Sequence, residues 1–292
     1  MLFVTGANGH FAQAVIAALL GRDDAPPFAV GTRDPGSPAA QALATRGVPV
    51  RRLDFDEPSS LEPAFAGVDR ALIIPTMAPN DRRLGQNRAA LAAAQAAGVR
   101  HIVYASFINA SAGSLAEHNR LVHYPTEQAI AASGLEHSFL RHALYAEIMT
   151  GDLDATLASG VLRRVGGDAR FALIARDDLG VSAARVLAED GHAGRTYTET
   201  MAETLSGAAI AATMADVFAT PVRYEPVSAG DWPGFMHAQW GVPLEAARSS
   251  YGTMRAVESG EFDIVSGDYA DITGTPPRSF RRFLEDVRDR RS

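Results

Sequence analysis

The sequence predicts an α/β fold, a doubly wound parallel sheet with a smaller C-terminal α/β unit. Three observations carry that prediction. Apolar runs of strand length and periodic runs of helix length alternate five times in the first ~130 residues, as in a parallel sheet covered on both faces. The first strand–turn–helix carries a glycine pattern at the turn. Beyond Tyr145 the alternation loosens, which divides the chain into a first domain over residues 1–150 and a second over 151–292. The stretch from roughly 177 to 200 is expected to rejoin the first domain.

Leu2-Phe3-Val4 suits a buried parallel strand, and the alanine- and leucine-rich run Gln13 to Arg22 suits a helix. Between them Gly6-x-x-Gly9-x-x-Ala12 is tight enough to let backbone approach a diphosphate, with helix-start N–H groups facing the anion. A glycine turn alone is a weak signal, but strand before and helix after make it a strong one. Gly6, Asn8, Gly9, His10 and Phe11 are therefore candidate diphosphate contacts. The second strand, Phe28 to Gly31, runs into Thr32-Arg33-Asp34-Pro35, where an acid would select NAD and an arginine would accept the 2′-phosphate of NADP. Arg33 with Thr32 favours NADPH over NADH, and Pro35 assigns Asp34 to the turn.

Gln41 to Arg46 reads as a helix and Val48 to Phe55 as the third strand. Its Asp54-Phe55 end either borders the adenine or starts a turn. A helix over Leu61 to Phe65 precedes the fourth strand, Asp69 to Ile74, and Ile74, Pro75 and Thr76 lie at the edge where such sheets place ligands. The helix Asn87 to Ala97 leads to the fifth strand, Val99 to Ala105, with Ser106 at its tip. A helix from Leu121 through Ser133 precedes the sixth strand, Leu135 to Arg141, which ends at His142 and Tyr145. Farther on, Asp177 to Glu189 and Leu205 to Phe218 read as helices, and Arg195 to Glu199 as a strand that can return to the sheet. Trp232 and Trp240 either line a flat apolar pocket or fill the core of the small domain. Phe280, Phe283, Leu284 and Val287 form one face of a last helix.

Composition narrows the function. The 292 residues carry a net charge of −7, which argues against nucleic acid as a partner. With no cysteine, thiol catalysis and disulfides are excluded. No apolar run approaches the ~20 residues of a membrane span, and the early first strand leaves no room for a leader, so a cytoplasmic protein is expected. His118 and His123 stand five apart without a partner glutamate, so no metal is expected.

Several stretches together resemble the NmrA-like branch of the atypical short-chain dehydrogenase/reductases, nearest to its NADPH:quinone oxidoreductases and triphenylmethane reductases. They are Thr5–Ala12, Gly31–Pro35, Tyr104-Ala105-Ser106, Thr126-Glu127-Gln128 with Ser133-Gly134, Phe139–Arg141 with Tyr145-Ala146-Glu147, and Ile272–Phe280. The resemblance covers nearly the whole chain. It implies a Rossmann-type cofactor domain, a small C-terminal domain and a substrate cleft between them. The usual dehydrogenase pair, a tyrosine with a lysine four residues on, is matched in spacing only by Tyr124 and Gln128, and Gln128 supplies no charge.

The sequence thus predicts an NADPH-dependent oxidoreductase that passes hydride to a small aromatic or quinone-like acceptor. Tyr145 and His142 are the candidate catalytic residues. Gly6, Asn8, Gly9, His10, Phe11, Thr32, Arg33, Asp54, Phe55, Ile74, Pro75, Thr76 and Ser106 are the candidate cofactor contacts. For His10 and His142 the alternative is loop filling. A sensor that binds the dinucleotide without turnover, or an epimerase acting on a sugar nucleotide, are the rival functions, and a homodimer is left open.

Overall fold

The computed structural model describes residues 1–291. In chain order the first half runs β1 (Leu2–Val4), α1 (His10–Leu20), β2 (Phe28–Thr32), α2 (Pro38–Thr45), β3 (Val50–Arg52), α3 (Leu61–Phe65), β4 (Arg70–Ile73), α4 (Asn80–Ala96), β5 (His101–Phe107), α5 (Tyr124–Ala132) and β6 (Glu136–His142). It continues with β7 (Leu144–Tyr145), α6 (Leu153–Ser159), β8 (Val161–Val165), β9 (Arg170–Ile174), α7 (Arg176–Ala188), β10 (Arg195–Glu199), β11 (Thr204–Ser206), α8 (Gly207–Phe218) and β12 (Arg223–Val227). Five helices close the chain: α9 (Trp232–Trp240), α10 (Leu244–Arg248), α11 (Tyr251–Glu258), α12 (Asp268–Thr273) and α13 (Phe280–Asp289).

Seven strands form one parallel sheet in the order β10-β6-β5-β4-β1-β2-β3. The order reverses beside β1, so the crevice at the C-terminal ends of β1 and β4 is where such sheets take ligands. One face buries Val4, Val103 and Leu140 against Val15 and Ile16 of α1 and Leu179 of α7. These two helices touch backbone to backbone: a Cβ on Gly180 would come within 2.6 Å of the Ala14 carbonyl carbon. The other face buries Phe3, Ile73, Ile102 and Tyr104 against Phe65, Leu91 and Ile130. Residues 195–199 join the sheet through β10, register-paired with β6. The later strands form two small sheets, β11-β9-β7 and β12-β8.

Several boundaries differ from the sequence expectation. Helix α1 begins at His10 rather than Gln13, because Gly9 is its extended N-cap. Helix α4 begins at Asn80 rather than Asn87, and its first turns bury Gln86 and Asn87, polar side chains that apolar periodicity does not register. The stretch before α5 is a separate π turn, Asn119–His123. Trp232 is buried and Trp240 is 39% exposed. With Phe235 they form an aromatic triangle, ring centroids 5.3 to 5.5 Å apart, which packs the small part of the molecule against itself.

The segment Thr273–Phe280 is a clasp. The Arg278 Nε donates to Asp178 Oδ1 of α7 at 2.8 Å, its backbone N–H to the other carboxylate oxygen at 3.1 Å, and its Nη1 to Asp286 of α13 at 2.8 Å. Ser279 caps α13, accepting from the Arg282 N–H at 3.2 Å, and Phe280, Phe283 and Leu284 are buried. No described helix is long and apolar enough to cross a membrane.

Candidate active site

The turn after β1 is shaped by its own backbone. Gly6 holds φ +71, and the Gly9 N–H donates to the Gly6 carbonyl at 2.8 Å. A Cβ on Gly9 would stand 3.2 Å from that carbonyl, so the turn closes tightly only without a side chain. Helix α1 then starts with no side-chain cap and no acid in its first turn. Its first N–H groups are left for an anion, with the positive end of the helix dipole behind them. Thr5 ties the rim together: its N–H donates to Leu72 O at 3.1 Å, and its hydroxyl accepts from the Ile74 N–H at 2.9 Å. Asn8 and His10 are exposed, while the buried Phe11 ring turns inward. A dinucleotide diphosphate fits this donor set.

Beyond β2, Thr32 is buried and its hydroxyl accepts from the Asp34 N–H at 3.3 Å. The Asp34 carboxylate accepts from the Gly36 N–H at 2.9 Å and so belongs to its own turn. Arg33 is exposed and makes no hydrogen bond or ion pair among the described residues. Asn8 reaches across to Ser37 at 3.0 Å, joining the two turns. Asp54 accepts from the Asp56 N–H at 3.0 Å, closing a turn, and Phe55 is buried in the core under α3. Ile74, Pro75 and Thr76 are half-buried at the end of β4. Thr76 donates to Gln86, and Gln86 with Arg82 holds Asp56 at 2.7 Å, which fixes the loop after β4.

Ser106 is buried, and its hydroxyl donates to Glu127 Oε1 at 2.6 Å. Glu127, on α5, is buried too and accepts both Arg141 Nε at 3.0 Å and Nη2 at 2.5 Å. A buried carboxylate held by a bidentate arginine is compensated, and it locks the tips of β5 and β6 to α5. Beside it lies a neutral polar chain. Asn87 donates to the Tyr104 hydroxyl and to Thr126 Oγ1, both at 3.1 Å, and the Tyr104 hydroxyl meets His123 Nδ1 at 3.1 Å. Burial pushes the Tyr104 phenol up and His123 well down, and burial with the Arg83 charge lowers His118 to about 4. Phe107 packs edge-on to His118 at 4.6 Å and parallel to His123 at 6.1 Å. His118 and His123 sit at the two ends of the π turn, a helix irregularity common at functional sites. Among the described residues no three His, Asp or Glu side chains converge on a metal-sized site.

At the tip of β6, His142 is buried edge-on to Phe11 at 4.8 Å, with Nε2 3.4 Å from Glu199 Oε2 on β10. Both Glu199 oxygens and that nitrogen are buried without a hydrogen bond. Tyr145 lies next along the rim, its ring centroid 6.4 Å from His142 and 4.5 Å beneath the Arg176 guanidinium. Burial pushes its phenol to about 12, so Tyr145 keeps its proton at neutral pH.

The structure thus gathers the β1 turn, Arg33, the β4 loop, His142 and Tyr145 along one sheet edge, with Ser106 and Phe55 behind it. Sequence reasoning passed over Glu127, Asn87 and His123 as site residues, because their partners come from distant parts of the chain, and Arg83, because what marks it is the lack of a carboxylate partner. The signal that was available is compositional: all 27 cationic residues are arginine, so no lysine exists anywhere to serve a tyrosine–lysine relay. Tyr124 opens α5, and Gln128 is exposed.

The NmrA-like family matches this chain over residues 1–264. Quinone oxidoreductase 2 of Escherichia coli (strain K12) is 34% identical over 197 residues, 68% of this chain and 67% of that protein. The NAD(P)H azoreductase of Xenophilus azovorans is 27% identical over 287 residues, 98% of this chain and 97% of its own. Among solved structures, Citrobacter sp. triphenylmethane reductase complexed with NADP(H) superposes with a TM-score of 0.90 at 30% identity, covering 99% of both chains.

Proposed function

Because the chain belongs to the NmrA-like family, we propose that it is an NADPH-dependent reductase delivering hydride to a small aromatic, quinone-like acceptor. The observation that carries this reading is the uncapped start of α1 beside an arginine that has no carboxylate of its own. Gly6, Asn8, Gly9, His10 and Phe11 would hold the diphosphate, and Thr32 and Arg33 the 2′-phosphate. Ile74, Pro75 and Thr76 would flank the ribose and nicotinamide, and Asp54 the adenine side, with Phe55 packed in the core beneath it instead of against the cofactor. When bound, NADPH supplies the hydride. The chain's own part is to align the acceptor and exclude water. Tyr145, held protonated and fixed under Arg176, offers a flat face for an aromatic ring and a hydroxyl for its carbonyl oxygen. His142 and Ser106 would support the edge from behind. A first domain over residues 1–150 with 177–200, a second over the rest, a cytoplasmic location and a homodimer complete the reading.

Mixing the NADPH-loaded protein with excess quinone or triphenylmethane dye should bleach the NADPH absorbance over many turnovers. Tyr145→Ala should raise KM or lower kcat and leave NADPH affinity intact. Tight NADPH binding with no oxidation above background by any quinone, dye or carbonyl acceptor would establish a sensor instead.

A further inference from the structure

Arg83 is a half-buried cation to which the fold gives no carboxylate partner among the described residues. It lies in the first turn of α4, where the helix dipole disfavours a positive charge. Its neighbour Arg82 pairs with Asp56, but no carboxylate reaches Arg83 among the described residues. The Arg83 Nε donates to the Ala78 carbonyl at 3.1 Å. Its two terminal nitrogens make no hydrogen bond, yet neither is sealed from solvent. The side chain is half-buried, and that burial lowers its pKa. A guanidinium held this way, desolvated and with two parallel donors free, matches a carboxylate or sulfonate in geometry and charge.

Its surroundings are aromatic and apolar. The Arg83 charge is felt by Tyr104, His118 and His123, all of them neutral. Phe107 packs on both histidines at the tip of β5. Met77, one residue before the carbonyl that holds Arg83, is 92% exposed, and Leu121 projects from the π turn between the two histidines. A flat ring has apolar and aromatic partners here, and a charge on that ring has Arg83.

We propose that Arg83 is the anion-recognising residue of the acceptor site, and that the preferred acceptors are aromatic compounds carrying a carboxylate or sulfonate. The inference rests on the reductase reading and adds the substrate class to it. On a protein of net charge −7, a free guanidinium at the site supplies local attraction that the overall field does not.

The test compares 1,4-naphthoquinone with 1,4-naphthoquinone-2-sulfonate on NADPH-saturated protein, wild type against Arg83→Met and Arg83→Lys. Arg83→Met should lower the sulfonate-to-neutral ratio of kcat/KM by about tenfold or more through KM, and Arg83→Lys should restore part of it. An unchanged ratio in Arg83→Met overturns the proposal. So does a fall in NADPH affinity that accounts for the whole effect, since Arg83 would then belong to the cofactor. If neither quinone is reduced, the reductase reading fails, and the subsite is decided separately by titrating anthraquinone-2-sulfonate into NADP⁺-loaded protein. Binding weakened about tenfold or more by Arg83→Met supports the subsite, and equal binding removes it.

Discussion

Two arginine-bearing turns, Gly31–Asp34 and Thr273–Phe280, look alike as sequence and differ in what the fold does with their donors. Around Arg278 the Asp178 and Asp286 carboxylates and the Ser279 cap account for the available hydrogen bonds, and the segment ties α7 to α13. Around Arg33 the nearby acid, Asp34, is turned into its own loop, and the guanidinium makes no hydrogen bond or ion pair among the described residues, while Asp56, which feels its charge, is held by Arg82 and Gln86. The difference teaches where to look for a ligand. Polar groups that the chain satisfies are architecture, and polar groups it leaves unmatched at the ligand edge of a parallel sheet are waiting for something.

The largest effect should come from breaking the clasp. Arg278→Ala leaves Asp178, only 7% exposed, without its ion pair, which in a buried setting costs about 3–5 kcal/mol and less here because Arg278 is partly solvated. A loss of roughly 2–3 kcal/mol in denaturant midpoints is expected, with NADPH affinity of the folded fraction unchanged. Lost NADPH binding at undiminished stability would place Arg278 among the ligand-facing groups and break the contrast.

The buried His101 and the half-buried His118 probe the satisfied interior by pH. Burial holds His101, bonded to Ser138 Oγ at 2.9 Å, and His118, facing Thr253, at about 4 against an ordinary 6.5. Below pH 6.5 the unfolded chain takes up these protons before the folded one does. Stability therefore falls as the pH drops from 6.5 toward 4, by up to about 1.4 kcal/mol per pH unit for each group. Chemical denaturation across that window should show the slope, and His118→Gln should reduce it. A slope unaffected by His118→Gln would mean that His118 is solvated rather than buried.

The same contrast explains how much of the molecule was legible in advance. Leu2–Val4 and Leu61–Phe65 appear in the structure at the residues expected, because local composition dictates them. The glycine turn was legible because a tight backbone approach demands those residues wherever it occurs. The start of α4 was not, since it buries Gln86 and Asn87 rather than an apolar stripe. Glu127 reads as an ordinary helix-surface acid until β6 brings Arg141 beside it. Arg83 is distinguished only by the partner it lacks, which no local pattern records.

Arg33 tests the open side of the comparison. Arg33→Ala should weaken NADPH binding by about tenfold or more, roughly 1.4 kcal/mol, and leave NADH nearly unchanged. Titration of both cofactors decides it, because equal losses would mean that Arg33 supports the loop instead of reading the 2′-phosphate.

The smallest effect is expected at Tyr124, which has the spacing of a dehydrogenase acid. A phenol works as that acid when a neighbouring cation lowers its pKa and fixes the ribose, and the chain contains no lysine to do so. Gln128, in the lysine's place, is exposed on α5, while the adjacent Glu127 faces inward and is committed to Ser106 and Arg141. The geometry there is that of a helix fastened to two strand tips. Tyr124→Phe should accordingly keep kcat with a quinone within about twofold, whereas losing a true general acid costs about a hundredfold or more. A loss of that size in steady-state turnover would make α5 part of the chemistry and move Tyr124 from the satisfied side of the molecule to the open one.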